Sequence, residues 1–596
     1  MNEKTLLPGK DLSLEETIAK ATALLDNLGL RTETVSWLNP APNCWSVHIQ
    51  SNDCPLLCTN GKGTSRLAAL ASGLGEFLER LSTNFFFADY FLDERVDEDE
   101  KPYLFFPGER WFTAGEKEAV PRRDRQGTAL LNEHLRSFYD PDGELTFAHL
   151  CDNNSNSADR GLCALPFQSL ADGRTIYFPV SLLNNLYVSN GMAAGNSPAE
   201  CSAQALSEIL ERYVKNIIIT EGISLPDVPH SCLQNYPRLC SILDTLAEQG
   251  LSAQVKDASL GGQFPVICVL LTDYDSGGAF AAFGANCRFE TAIERTLTEL
   301  LQGRSLDRLR RFPPPCHDSN LVADPFNLES HFIDSDGLLS WNMFQDSADY
   351  AFSPWDFTGS TEEEFARLQR LVTDRGFHIY RAEYLHCGMY SCRILVPGMS
   401  EIYPIDDLLY NNKGTGALLR PHLLRLPAMD KHELGALIEL LETLDLGEQV
   451  LLSQAIGIVF DEHSSWATLR IGELKAMIYL ALQQKEAALE WCTWCLDYGA
   501  LPAKRKRYYR LLQTLLNFHL TGETVAGYSR SLRLFYAEEE IVAAESAVHG
   551  GSSFHGLNFA GSWQEISAEQ KKLLQIYERV NAFKMTAAPG KELRTR

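Results

Sequence analysis

Along residues 196–212, NSPAECSAQALSEILER, hydrophobic and polar positions alternate with a helical period. At about 100° per residue, Asn196, Glu200, Gln204, Glu208 and Glu211 fall within an arc of about 120°, while Ala203, Ala205, Leu206, Ile209 and Leu210 occupy much of the remainder. Asn196 or Ser197 can cap this helix, and Pro198 suits its first turn. Residues 63–80, GTSRLAALASGLGEFLER, repeat the design. The distance from the glycine to the first glutamate of E-x-x-E-R is the same in both, so Glu76, Glu79 and Arg80 correspond to Glu208, Glu211 and Arg212. A third helix is expected over residues 290–304, carrying Glu294, Arg295 and Glu299. The pattern predicts an internally duplicated chain of glycine-then-acidic-helix units.

Elsewhere the same reading predicts an amphipathic helix within residues 8–28, with Leu14, Ile18, Leu25 and Leu28 on one side. Strands are expected at 45–49, 163–166, 175–179, 264–271, 279–283, 378–382 and 390–396, and Gly61 and Gly63 are expected to break the pattern ahead of the first acidic helix. Residues 93–159, rich in charge, Pro, Gly and Asn, read as an irregular excursion on the surface, and residues 304–344 give no assignable element. Beyond residue 425 helical periodicity dominates, with small residues at the expected crossings. That suggests a repeat-like, TPR-like association module. The expected fold class is α+β, with strand-and-helix units over 1–425, an all-α domain over 430–585 and a disordered tail over 586–596.

The composition, 45% hydrophobic and 22% charged over 596 residues, is that of an ordinary soluble protein of more than one domain. The net charge of −25 argues against a large phosphate-backbone footprint, so no direct nucleic-acid binding is expected. No apolar stretch is long enough to span a bilayer, and a cytoplasmic location follows as the expectation. Fifteen cysteines are scattered without a small-domain disulfide pattern. Cys492 and Cys495 form C-x-x-C inside a helical run with no second ligand pair for zinc, and with Cys54 and Cys58 they read as packing residues. The sequence GKG at residues 61–63 is not a Walker A loop.

Glu76 with Arg80, Glu208 with Arg212 and Arg295 with Glu299 are i,i+4 pairs, which are ordinarily solvated surface pairs giving ~0.2–0.5 kcal/mol. Their recurrence at a matched glycine spacing favours a different reading, in which three helices bring carboxylates to Mg²⁺ and arginines to phosphate.

Several long stretches, in order, resemble the YcaO family: PGKD with Lys10, TNGKG, ASGLGEFLERLSTNFFFADYFL, SNGMAAGNSPAE leading into LSEILERYVKN, IERTLTELLQGR and PGMSEIYP. The resemblance extends over nearly the whole chain. It implies an ATP-binding fold in which Glu76, Glu79, Glu200, Glu208, Glu211 and Glu299 surround Mg²⁺ ions. Lys10, Thr17, Asn196, Glu200, Gln204, Arg212 and Arg295 would then contact the nucleotide, Thr17 standing where a bacterial member has serine. It further implies ATP hydrolysis, with phosphorylation of a backbone amide oxygen in peptide-modifying members, and a homodimer formed through the C-terminal helices. The implied role is assistance to a radical methylthiotransferase in β-methylthiolation of an aspartate of a small-subunit ribosomal protein, without transferase activity of its own. Two alternatives stay open: a non-catalytic nucleotide-binding assembly factor, and a peptide cyclodehydratase. The last is disfavoured by the single proline in TAAPGKELRTR, where azoline-forming members end in a proline-rich tail, and by the lack of a leader-peptide-binding domain. No residue stands out as a general base; His386 and Cys387 read as packing residues.

Overall fold

The computed structural model describes residues 4–92, 103–113, 120, 122–123, 128–152, 161–186, 189–333, 337–402, 404 and 415–586. Helix α1 (Leu14–Asn27) opens with a capping box in which Ser13 and Glu16 satisfy each other's backbone N–H groups. Strands β1 (Thr32–Ala41), β2 (Cys44–Ser51) and β3 (Cys58–Gly63) form an antiparallel sheet in that order. Helix α2 (Arg66–Ser82) lies against it. Gly61 and Gly63 thus belong to a strand instead of breaking the pattern. A Cβ at Gly61 would stand 2.5 Å from the backbone nitrogen of Gly73, so glycine is what lets helix and strand backbones touch.

The second sheet runs β4-β5-β11-β12-β7, with β6 paired to β5. Its strands are β4 (Arg110–Phe112), β5 (Leu162–Ser169), β6 (Thr175–Pro179), β7 (Met192–Gly195), and, from much later in the chain, residues 380–384 and 390–395. Strand β7 leads into α3 (Pro198–Glu221), capped by Ser197, with Pro198 in its first turn. Helix α4 (Pro237–Glu248) precedes a third antiparallel sheet of β8 (Leu251–Asp257), β9 (Val266–Asp273) and β10 (Ala279–Ala285), which delivers α5 (Phe289–Leu301). Helix α6 (Thr361–Thr373) then precedes β11 (Tyr380–Tyr384) and β12 (Tyr390–Leu395). The duplication is visible in detail. A Cβ on Gly63 would stand 2.8 Å from the nitrogen of Ala69, and one on Gly195 2.9 Å from the nitrogen of Cys201, six residues on in both cases. In each unit the glycine lets the strand end press on the first turn of its helix.

Two regions differ from the sequence reading. The described part of 93–159 is not a surface excursion, because Leu104, Phe112, Leu130, Leu135 and Tyr139 are at most 1% exposed in the main core. Its polar composition masked a few large apolar anchors. Residues 304–344, left without elements, contain short helices at Ser319–Val322 and Pro325–Ile333.

The C-terminal part comprises α7 (Lys431–Thr443), α8 (Ile471–Leu482), α9 (Lys485–Asp497), α10 (Ala503–Thr521), α11 (Val525–Phe535), α12 (Glu538–Val548) and α13 (Ala568–Thr586), together with shorter helices. Gly472 of α8 lies directly under the Trp494 ring of α9, a small residue at a helix crossing. Cys492 and Cys495 are at most 1% exposed, and burial pushes both thiols well up from their ordinary range, as expected of packing residues. Across the division expected near residue 425, the two parts interlock. Phe91 sits in the helical core, its N–H donating to the Gly457 carbonyl at 2.7 Å. In return, Leu573, Ile576, Tyr577 and Val580 of α13 lie in the core of the first part. The Tyr577 hydroxyl donates to the Leu104 carbonyl, and Tyr103 donates to the Asn581 carbonyl at 2.8 Å. The expected tail beyond Thr586 lies outside the described residues. No described helix is long and apolar enough to cross a membrane.

Candidate functional site

Helices α2, α3 and α5 each leave a strand that ends in small residues, and their acidic faces converge with Lys62 of β3. The first group forms where α1 meets the start of α3. Glu200, only 3% exposed, accepts from Lys10 Nζ at 3.2 Å, from the Asp11 N–H at 3.0 Å and from the Asn196 side-chain amide at 3.3 Å. Asn196 also reaches the Thr17 hydroxyl at 3.2 Å. Asp11 in turn accepts from the Ser197 hydroxyl and from Thr361 Oγ1 at 3.0 Å. The buried carboxylate of Glu200 is therefore held by three donors.

One turn along α3, Gln204 Oε1 accepts from Arg295 Nη1 of α5 at 3.0 Å. Beyond it, Arg212 Nη2 stands 3.1 Å from Glu208 Oε1, and in the matching unit Arg80 Nη2 stands 2.6 Å from Glu76 Oε1. Lys62 pairs with Glu299. Glu211 uses one oxygen to accept from the Ala285 N–H at 3.1 Å, which ties α3 to the end of β10.

The charges act on one another beyond these contacts. Burial, and then the neighbouring carboxylates Glu76 and Glu208, hold Glu79 well above the ordinary carboxylate range. Burial also raises Glu208, with Glu211 adding to it and Arg212, Arg295 and Lys62 opposing it. Lys62 is lowered to about 8 by burial and by Arg295, against the attraction of Glu211, Glu76 and Glu208. Yet the side chains of Glu76, Arg80, Glu208 and Arg212 keep 18–28% of their surface open. Groups deep enough to be desolvated but still wetted line a recess.

Of the residues expected around a nucleotide, the structure joins Lys10, Thr17, Asn196 and Glu200 in one network, and Gln204 with Arg295 in a second contact. Of those expected around metal, Glu76, Glu79, Glu208 and Glu211 are coupled electrostatically, while Glu299 is linked through Lys62. Among the described residues no three His, Cys, Asp or Glu side chains stand close enough to hold a metal. In donor chemistry the set nevertheless suits Mg²⁺: all are hard oxygen donors, the buried Glu208 Oε1 has an ion-pair contact with Arg212 but no aligned hydrogen bond, and Glu79 is raised by burial and then by its anionic neighbours. A divalent cation would relieve that repulsion, and the arginines already there would meet phosphate oxygens.

Sequence reasoning missed four contributors. Lys62 lies in TNGKG, a stretch that carried the family resemblance but no role for the lysine. Asp11 reaches the first group from the segment before α1, and Thr361 and Glu364 from α6; Glu364 is 4% exposed and burial raises its carboxyl, against Arg288, Lys10 and Arg295. Only the P-G-K-D string gave a signal for Asp11, and nothing local marked α6. His386 packs on Phe106 at 5.1 Å and Cys387 is fully buried, as packing residues.

The model of the YcaO cyclodehydratase family, described as ATP- and Mg²⁺-binding, matches residues 60–400, and that of the YcaO cyclodehydratase C-terminal domain matches residues 416–586. The chain belongs to the YcaO family. ATP and Mg²⁺ are the cofactors of this family's fold. The chain is 44% identical over 586 residues to the Escherichia coli ribosomal protein S12 methylthiotransferase accessory factor YcaO, covering 98% of this chain and 99% of that one. It is 42% identical over 591 residues to an uncharacterized Haemophilus influenzae protein, with the same coverage. Among solved structures, a heterocyclase in complex with substrate and cofactor matches with TM-score 0.45 and 18% identity, over 68% of this chain and 56% of that one. The YcaO of Methanopyrus kandleri bound with AMPPCP and Mg²⁺ matches with TM-score 0.40 and 16% identity, over 69% and 97%.

Proposed function

We propose that the protein binds and hydrolyses ATP with Mg²⁺ in the recess between α2, α3 and α5, and so assists a radical methylthiotransferase acting on an aspartate of a small-subunit ribosomal protein. The observation that carries the nucleotide reading is the meeting of carboxylates and arginines from three helices in one half-wet recess. The near full-length likeness to the Escherichia coli accessory factor supports the role. In this reading Mg²⁺, when bound, screens the phosphate charge and polarises the oxygens it touches. Glu76, Glu79, Glu200, Glu208, Glu211 and Glu299 would hold the metal. Arg212 and Arg295 would orient phosphates, and Lys10 would leave Glu200 for a phosphate oxygen. Phosphorylation of an amide oxygen is the chemistry such an arrangement would serve.

Calorimetric titration of ATP with and without Mg²⁺, on the wild type and on Glu76→Ala, tests the placement. Binding that needs both the metal and Glu76 is expected; binding indifferent to Glu76 returns these glutamates to ordinary ion pairs. The role is tested by mass spectrometry of the ribosomal protein from cells whose only copy carries Glu208→Ala, in which methylthiolation should fall.

An assembly role is favoured by a separate observation, the exposed apolar side chains of Leu534 (80%), Phe535 (67%) and Val542 (58%) on α11 and α12. The expected homodimer, or a docked enzyme, would use such a face. Leu534→Glu with Phe535→Glu should lower the mass measured by light scattering if it is the dimer face. Loss of methylthiolation with ATP hydrolysis intact would put the decisive contact there.

A further inference from the structure

A cavity of about 280 Å³ opens beside the start of α5, away from the carboxylate recess, lined by Tyr236, Phe289, Phe352, Trp355 and Asp356 with Cys232 at its rim. Phe289, 4% exposed, forms its floor. Trp355 stands edge-on to Phe289 with ring centroids 4.9 Å apart and an angle of 80° between planes. Phe352 is 6.3 Å away at 70°, and Tyr236 6.3 Å away at 42°. All three lean on Phe289, and among the described residues no ring contact joins Tyr236 to Trp355 or Phe352, which leaves the space between them open.

The walls are held in place. Trp355 Nε1 donates to the Asn286 carbonyl at 3.1 Å, fixing the indole plane, and Asp356 Oδ1 accepts from the Phe289 N–H at 3.3 Å. Asp356 makes no ion pair among the described residues and stands at the surface. Burial, and then the carboxylates of Asp356 and Glu290, favour the neutral form of the Tyr236 hydroxyl. The pocket is therefore walled by aromatic rings, with the carboxylates of Asp356 and Glu290 near Tyr236.

Aromatic faces carry negative quadrupole density, so three rings around an opening beside an exposed carboxylate that makes no ion pair among the described residues attract a compact organic cation. We infer that this pocket is an aromatic cage for an alkylammonium group, namely the lysine side chain of a basic polypeptide segment bound by this protein. A polypeptide is favoured over a free ligand because the lining residues Asn235, Pro354 and Asp356 are exposed, and because a chain of net charge −25 attracts basic segments. The inference does not depend on nucleotide binding. The cage stands on the helix that carries Arg295, about 9 Å farther along its axis at 1.5 Å per residue.

The test uses the full-length protein and two probes of nearly equal size, acetyl-glycyl-lysyl-glycinamide and its norleucine analogue, which lacks the charge. Saturation-transfer NMR should detect the lysine probe and not the norleucine probe. Trp355→Leu and Tyr236→Leu should each weaken the lysine probe about tenfold, and Asp356→Asn by a smaller factor. Tyr236→Leu keeps an apolar side chain on Phe289, so it answers the question even if Trp355→Leu misfolds; thermal unfolding checks each variant. Equal signals from the two probes would reduce the pocket to apolar surface and overturn the inference. So would the absence of any signal, or wild-type binding by a folded Tyr236→Leu. Tetramethylammonium should displace the lysine probe, and tighter binding of that ion than of the peptide would overturn the assignment to a polypeptide.

Discussion

Besides exposed surface pairs, Glu–Arg pairs of this protein occur in two further settings, one closed and one half-wet, and their surroundings differ. In the helical module Arg505 grips Glu473 through two hydrogen bonds, one of them 3.0 Å long, with side chains only 1% and 13% exposed. Arg505 also donates to the Thr468 hydroxyl at 2.7 Å and to the Ser465 carbonyl. Burial raises the Glu473 carboxyl, and the arginine offsets it. That pair is closed, satisfied and dry, and its work is to join α8 to α10. In the recess the Glu76–Arg80 and Glu208–Arg212 pairs are wetted, and each sits among further carboxylates that the nearby cations do not fully compensate. The lesson is that residue type and i,i+4 spacing do not mark function. What sets the recess pairs apart is an excess of neighbouring carboxylates.

The contrast is broken most severely at the closed pair. Glu473→Ala leaves Arg505 buried without its carboxylate and should destabilise the helical module by about 3–5 kcal/mol, read as a fall in unfolding temperature. Glu76→Ala, by the same measurement, should cost at most about 1 kcal/mol, because its pair is partly exposed. If the two losses were equal, the distinction would fail.

Next in size is the effect on turnover. Glu208→Ala or Arg212→Ala should reduce ATP hydrolysis at least about a hundredfold, or ~2.7 kcal/mol of barrier, with the fold retained by circular dichroism. Full activity in either variant would remove α3 from the phosphate and metal site.

A smaller effect comes from pH. Glu79 and Glu208 have folded values raised above their unfolded ones, so between the unfolded value and the raised value the native state holds more protons. Their contribution to stability is therefore present at low pH and is lost as pH rises through the raised values. Mg²⁺ would compete with protons for these carboxylates, so its binding should release protons and tighten as pH rises through the raised values. Titration in buffers of different ionisation heat measures the release. Lys62, lowered to about 8, has the opposite sign: stability rises with pH between about 8 and its unfolded value near 10.5. In a Lys62→Met variant that rise should vanish from the stability–pH curve.

The interlocking of the two parts changes which truncation is informative. Removing everything after residue 430 would strip Leu573, Ile576, Tyr577 and Val580 from the core of the first part. Point changes on α11 are the cleaner way to separate association from ATP turnover.

Much was legible in the residues themselves. Helical period, caps and the glycine-to-glutamate spacing located α2, α3 and α5, because these depend on neighbours within a few positions. The carboxylate stripe was legible for the same reason. Tertiary structure alone decided which of these groups share a recess, that Glu200 is already held by Lys10 and Asp11, and that Thr361 and Glu364 of α6 complete its surroundings. It alone turned Gly61 into a strand residue, through the approach of Gly73. It also brought Tyr236, Phe289, Phe352 and Trp355 into one cavity from three segments, each more than fifty residues from the next. Local pattern follows from the backbone's short-range geometry, whereas proximity across such separations depends on how whole faces pack, and no single stretch of the chain encodes that.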